Sequence, residues 1–424
     1  TYGSPDLLIR SDVLAQLFPE AINQEEALQI ASDLPNARWH YRVIDIKFKT
    51  LGMLVSGELD NVGPSPAYKV QLAIYNQALG RIQGFEPPTS YLLGRGWRQG
   101  NARGSNCLER LGEVSQTGAL ARKRPIKDAM ADSISWLHRV RTQGGKWNVL
   151  PNPSVPELYP NCNNDEDWPW HYAKKKIAQE LEDLTFLWAV GPSGRAKAHE
   201  SGILRWSNPD VTPEIVGVTG AITAQILGKI LGVNRDITGP PVRPERIKAA
   251  REEWHNAPDL EFFVDFETVS DLADDFSQLP EKGGQPLIFM IGCGHVEKGS
   301  WAFQSFTVDS LTEEEESHII NRWFAHMESV RNRVDPHGDD PLIFHWSPAE
   351  VSNFETAYNS AKERHHGNNW RIPRWFDFRR KVIVGAPVVI RGALETGLKA
   401  IAQALHQHGL VETVWKEGPT DGLG

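Results

Sequence analysis

Short apolar runs, broken by Gly, Pro and charged residues, alternate along this chain with segments of helical period. Asp6-Leu-Leu-Ile-Arg10 follows Gly3-Ser4-Pro5 and reads as a strand. Arg42-Val-Ile-Asp-Ile-Lys-Phe-Lys49 is rich in β-favouring residues, with charges interleaved at Arg42, Asp45, Lys47 and Lys49, and predicts a second strand. Lys69 to Leu79 sets Val70, Ala73 and Ile74 on one side, as a helix does. Ser90-Tyr-Leu-Leu93 returns as a strand, closed by Gly94 and Gly96. Residues 1–111 therefore predict an α/β layer. Residues 112–257 read as mainly helical. They contain a Pro/Asn-rich loop from Asn148 to Asn164, and a helix, glycine-containing turn and second helix over Asp183 to Gly202. Gly239-Pro-Pro241 and Pro244 read as a linker. Residues 258–424 open on Glu261-Phe-Phe-Val-Asp-Phe-Glu267. Strand patterns follow at Leu287–Ile291, Trp301–Phe306 and Pro341–His345, with helices starting at Thr312 and spanning Ser352–Glu363. Three strands followed by alternating helix and strand predict a mixed α/β sheet.

Composition narrows the function classes. At roughly 150 residues per domain, 424 residues suggest about two to four domains. No apolar run approaches the roughly 20 residues of a membrane span, so no membrane partner is expected. A formal net charge of -9 argues against a protein that coats nucleic acid by bulk positive charge. It leaves a nuclease open, because metal-binding sites are themselves acidic. Cys107, Cys162 and Cys293 lie far apart with no CxxC pair, which speaks against a disulfide framework, a zinc site or an iron–sulfur cluster. A reducing, cytoplasmic compartment fits that usage. The chain begins at Thr1 without a secretory pattern and stops at Gly424 without a helix end, and reads as a piece trimmed at both ends.

Asp6 stands at the start of one strand. Asp45 and Lys47, two residues apart on another, point to one face. Hydrolysis of a phosphodiester needs a hard divalent cation held by carboxylates, with a lysine to orient water or offset charge on the phosphate. Gln71 and Tyr75 share a helical face away from Val70 and Ile74 and can hold a phosphate or a water. Pro5-Asp6, Asp45-Ile-Lys47 and Gln71-Leu-Ala-Ile-Tyr75, in this order, resemble the PD-(D/E)xK nuclease core of the RecB family. The resemblance implies a restriction-endonuclease-like mixed sheet, with Asp6 and Asp45 as Mg²⁺ or Mn²⁺ ligands, Lys47 as the catalytic lysine and Gln71 and Tyr75 as its supporting pair. The long gap between Asp6 and Asp45 implies an inserted helix. Many relatives hold an iron–sulfur cluster through four cysteines; no such cluster is expected here.

Asp265 and Glu267 form a second acidic pair on an apolar strand, where two like charges side by side need a cation. Asp-x-Glu on the first strand of a mixed sheet resembles the ribonuclease-H-like DEDD exonuclease fold. Glu350, after His345, falls where a second motif belongs. Trp375-Phe-Asp377-Phe and Val389 to Lys399 resemble the YprB-like domain found in fusions with RecB-like nucleases. That resemblance adds Glu350 and Asp377 to the second site, with Asp265 and Glu267 as its metal ligands. Leu184 to Gly191, then His199 to Ile203, resemble the helix–hairpin–helix segment joining the two domains.

Three basic clusters lie in the middle segment: Arg122-Lys123-Arg124, Arg139 with Arg141, and Lys174-Lys175-Lys176. They suit a path for a nucleic-acid strand. The expectation is a nuclease at residues 1–111, a helical connector at 112–257 and an exonuclease-type domain at 258–424. Together they would hydrolyse phosphodiesters in DNA with single-stranded character, for processing, repair or defence. The residues themselves fit DNA or RNA alike. The rival expectation is a catalytically degraded subunit that guides nucleic acid within a larger assembly, beside a helicase.

Overall fold

Strand β1 (Leu7–Arg10) runs antiparallel to β2 (Tyr41–Ile46) in this computed structural model, which describes residues 3–164, 167–247, 254, 260–269, 287–346 and 353–412. By contacts the described residues form two compact units, one up to Lys146 and the other from Trp147 on. Both are mixed α/β.

In the first unit, helices α1 (Ser11–Leu17) and α2 (Gln24–Ala27) occupy the excursion between β1 and β2. A small three-stranded sheet of β3 (Thr50–Met53), β5 (Gly96–Gln99) and β6 (Ala102–Gly104) is hydrogen-bonded separately and buries Leu51 in the same core as Val43 and Leu92. The main sheet has the order β1-β2-β4-β7, completed by β4 (Thr89–Leu93) and β7 (Gly112–Ser115). β2 and β4 are parallel and the outer pairings antiparallel. Helix α3 (Ser65–Gln83) begins with Pro66 in its first turn, where a missing N–H costs nothing, and ends at Gly84 with φ +70°. Strand alternation sends Val43 to the α3 side, with Leu72, Leu92 and Val114, and Ile44 to the α1 side, with Leu14, Phe18 and Tyr91. Each fully buried aliphatic side chain of this kind contributes about 1.5–3 kcal/mol. Helix α4 (Ile126–Gln143), in the stretch expected as connector, joins this unit because Ile126 and Met130 pack into the α3 cluster.

In the second unit a short strand, β8 (Val242–Arg243), precedes a sheet of order β11-β10-β9-β12-β13. Strands β9 (Phe262–Val269), β10 (Leu287–Glu297) and β11 (Ser300–Thr307) are antiparallel neighbours; β12 (Leu342–His345) and β13 (Arg374–Asp377) run parallel to β9. Helix α8 (Glu313–Val334) starts where Thr312 accepts the Glu315 N–H at 3.3 Å, as the Thr and the acidic first turn predict. Its stripe of Ile319, Ile320, Trp323, Met327 and Val330 buries against Phe262 and Val264 of β9 and Tyr358 of α9 (Asn353–Arg364). Glu316 at the start of α8 is fully buried yet matched, accepting from the Ile288 N–H, Arg364 and His365. The other face packs Phe344 and Phe376 against Val382, Ile383 and Ile401, the last from α10 (Leu398–Gln407).

Helices α5 (His171–Leu181), α6 (Pro192–Glu200) and α7 (Ala221–Arg235) belong to this same unit. Asn234 donates to the Ala393 carbonyl at 3.1 Å and Trp188 N–H to that of Leu394 at 2.9 Å, while Val242 pairs with Ile390. These bonds tie the stretch expected as connector to the last part of the chain. The first helix expected over Asp183 to Gly191 is absent. Buried Asp183 spends its carboxylate on the Thr185 N–H at 2.8 Å, the Thr185 hydroxyl at 2.5 Å and Arg195 at 3.2 Å, which folds the segment into one 3-10 turn, Leu184–Phe186. Among the described residues no helix is long and apolar enough to cross a membrane.

Candidate metal and phosphate centre

The antiparallel register pairs Leu7 with Ile44; one step further sets Asp6 opposite Asp45, both on the α3 side of the sheet. The Asp6 carboxylate accepts the Ile46 N–H at 2.7 Å, which fixes it against β2. Asp45 is 2% exposed, and its Oδ2 meets the Lys47 ammonium at 2.6 Å as a charge contact without a directed hydrogen bond. Burial pushes the Asp45 carboxyl up from its ordinary pKa; Lys47 opposes that, and the Asp6 carboxylate adds to it. Burial works against the Lys47 ammonium, but Asp45 and then Asp6 override it, so its pKa rises. The result is a half-buried lysine that stays charged beside two crowded carboxylates.

Helix α3 closes the site. Gln71 donates to the Tyr75 hydroxyl at 3.1 Å, so the two side chains four residues apart form one polar unit. Gly3 approaches Tyr75 so closely that an added Cβ would lie 2.7 Å from the ring, and the entry to β1 is seated on the same helix. Asp6, Asp45, Lys47, Gln71 and Tyr75 thus lie at one sheet–helix junction. Tyr68 joins them, its ring centroid 5.0 Å from the Lys47 Nζ. Sequence reading passed over Tyr68; its signal was the stripe Tyr68, Gln71, Tyr75 at helical spacings of three and four.

The second set of acids is divided. Asp265 and Glu267 alternate with Phe262, Val264 and Phe266, which pack against α8, and so fall on the Phe263 side, where Phe263 stacks on Phe344 at 5.3 Å. Burial raises the Asp265 carboxyl, although its side chain still reaches solvent. Asp377 does not join that pair. Phe376 and Phe378 occupy the Phe344 side, so Asp377 between them turns toward the Trp375 side with His345, its partner in register. There Asp377 Oδ1 accepts the Arg380 N–H at 2.9 Å. Strand alternation, invisible until the packing of each face is known, makes this correction. Glu350 lies outside the described residues.

The two basic clusters of the first unit stand at opposite ends of α4. Arg122 and Lys123 sit exposed in a 3-10 turn ahead of α4, and Arg124 pairs with Asp132. Arg139, 5.4 Å from the Trp136 ring, and Arg141 sit at the far end of α4, roughly 20 Å away at 1.5 Å per residue. Lys174, Lys175 and Lys176 belong to the second unit; Lys174 pairs with Asp167 at 2.5 Å and Lys176 lies 4.5 Å from the Tyr172 ring.

Among the described residues no group of three or more His, Cys, Asp and Glu side chains is arranged to hold a metal ion. Comparison of the chain with family models, with curated proteins and with solved structures gives no match.

Proposed function

We propose that the first unit is a metal-dependent phosphodiester hydrolase of the RecB-like PD-(D/E)xK type, acting on a nucleic-acid strand with single-stranded character. One observation carries the reading: Asp6 and Asp45 face each other across β1 and β2, with Lys47 2.6 Å from Asp45 and the Gln71–Tyr75 pair on the facing helix. The residues fit a divalent cation. Asp45 Oδ2 is buried without a directed hydrogen bond, and the Asp6 carboxylate adds to the cost of ionising Asp45. Asp6 and Asp45 would hold Mg²⁺ or Mn²⁺, which supplies Lewis acidity and lowers the pKa of water. The chain's own groups do the rest: Lys47 offsets charge developing on the phosphate, and the Tyr75 hydroxyl with Gln71 orients a water or a phosphate oxygen. The order β1-β2-β4-β7 with α3 across it supports a restriction-endonuclease-like core.

The order β11-β10-β9-β12-β13, three antiparallel strands followed by two parallel ones, supports a ribonuclease-H-like reading of the second unit, with Asp265 and Glu267 as its acidic pair. A strand-guiding role without cleavage is the second reading. Degradation of end-labelled single and double strands in Mg²⁺, Mn²⁺ and EDTA separates the readings. The hydrolase reading expects metal-dependent cleavage that Asp45→Ala abolishes and Asp265→Ala retains. Strand binding without cleavage in either metal favours the guiding role.

A further inference from the structure

Lys47 and Lys49 both reach the ring of Tyr68 on α3, with Nζ 5.0 Å and 5.8 Å from its centroid. The Lys49 N–H donates to the Lys47 carbonyl at 2.7 Å, a tight turn that keeps the two stems together just past β2. Their charges are placed differently. Lys47 is matched by Asp45 at 2.6 Å, whereas no ion pair among the described residues uses Lys49. A half-buried ammonium two residues past Lys47, steadied by an aromatic ring and in no ion pair among the described residues, can receive an anion.

We propose that Lys49, positioned by Tyr68, holds the backbone phosphate next to the one on which Asp6, Asp45 and Lys47 act, so that the site is built for a polynucleotide strand continuing past the cleaved bond. This rests on the hydrolase reading of the same site. Tyr68 acts through the lysines: its ring gives each ammonium a face to lie on and limits the conformations a long flexible side chain would otherwise explore. Phosphate contacts of this kind carry no base information, so the gain is in strand affinity and register rather than sequence preference.

The test uses the full chain and a fluorescein-labelled oligothymidylate. Lys49→Gln is expected to raise KM by about fivefold or more while kcat moves less, because it removes ground-state binding rather than charge relief at the reacting phosphate. In EDTA, the slope of log K against log salt should fall by about 0.7, the value for one single-strand phosphate contact. Tyr68→Leu should raise KM in the same direction and Tyr68→Phe should restore it, which a purely structural Tyr68 would not distinguish through the salt slope. Lys49→Gln with parental KM and parental slope overturns the proposal. A parent that binds the strand without cleaving it in Mg²⁺ or Mn²⁺ overturns the hydrolase reading alone, since the EDTA slope still reports on Lys49. A parent with no affinity for the strand overturns both.

Discussion

Strands β2 and β9 each carry ionisable groups two residues apart on a strand of a mixed sheet, and their surroundings make different things of them. On β2 the second group is a lysine, so Asp45 can be 2% exposed and still meet a countercharge at 2.6 Å. An antiparallel neighbour brings Asp6 opposite, and the facing helix contributes Tyr68, Gln71 and Tyr75. On β9 both groups are acids. The strand beyond β12 turns Asp377 to the other face, and the apolar stack of Phe263 on Phe344 is the neighbour that Asp265 shares. An acid pair on a strand is therefore only half a signal. The register of the adjacent strand and the chemistry of the helix across it decide whether it becomes a polar junction.

The comparison can be broken most sharply at Lys47. Lys47→Ala should lower kcat for strand cleavage by about 10²–10³-fold, the loss of about 2.7–4 kcal/mol of transition-state stabilisation typical of one preorganised electrostatic group. Its melting temperature should fall, because buried Asp45 loses its countercharge, but the chain should remain folded at the assay temperature, because the α3 core is untouched. Asp265→Ala should keep at least half the parental rate. Full activity of Lys47→Ala in the end-labelled strand assay would remove β2 from the chemistry.

Thermal melting with Mn²⁺ sharpens the contrast. An ion that binds only the folded chain stabilises it by about 2.7 kcal/mol at a concentration 100 times Kd. Most of that shift should vanish in the variant carrying Asp6→Asn and Asp45→Asn, and a smaller part in the one carrying Asp265→Ala and Glu267→Ala. Equal losses in the two variants would mean that the strands are equivalent after all.

The smallest expected effect is a pH dependence without metal. Folding raises the Asp45 pKa, so the folded chain holds that proton more tightly than the unfolded one. Stability from this group is therefore lost as pH rises through its folded pKa and regained as pH falls toward the ordinary carboxylate range. Metal-free Asp45→Asn should melt no lower than the parent at pH 7, and the difference should shrink as the pH is lowered. A variant that melts clearly lower at pH 7 would show that the Lys47 contact outweighs the desolvation.

Much of the local structure was legible along the chain because it depends on near neighbours. Thr312 followed by acids predicts the start of α8, the period of Val70, Ala73 and Ile74 predicts α3, and Gly84 stops it. Asp45, Lys47, Gln71 and Tyr75 were readable as a group because each pair lies within one element, where spacing alone sets the facing. The 3-10 turn at Leu184 was not, because Asp183 is held by Arg195, and that contact exists only once α6 has folded back.

What the sequence determined by itself was the side of each correctly read element on which a residue stands, since the periods of 2 and 3.6 are properties of the backbone. What only the tertiary structure decided was which sides meet. Asp6 reaches Asp45 across an inserted pair of helices because β1 pairs with β2 in one register. Tyr68 reaches both lysines because α3 lies over that end of the sheet. Asp377 turns away from Asp265 because Phe376 and Phe378 are claimed by the opposite core. The two basic clusters of the first unit stay apart because α4 is a rigid rod between them. These are long-range outcomes of burying apolar surface, and a one-residue change of register would reverse each facing while leaving every local pattern intact.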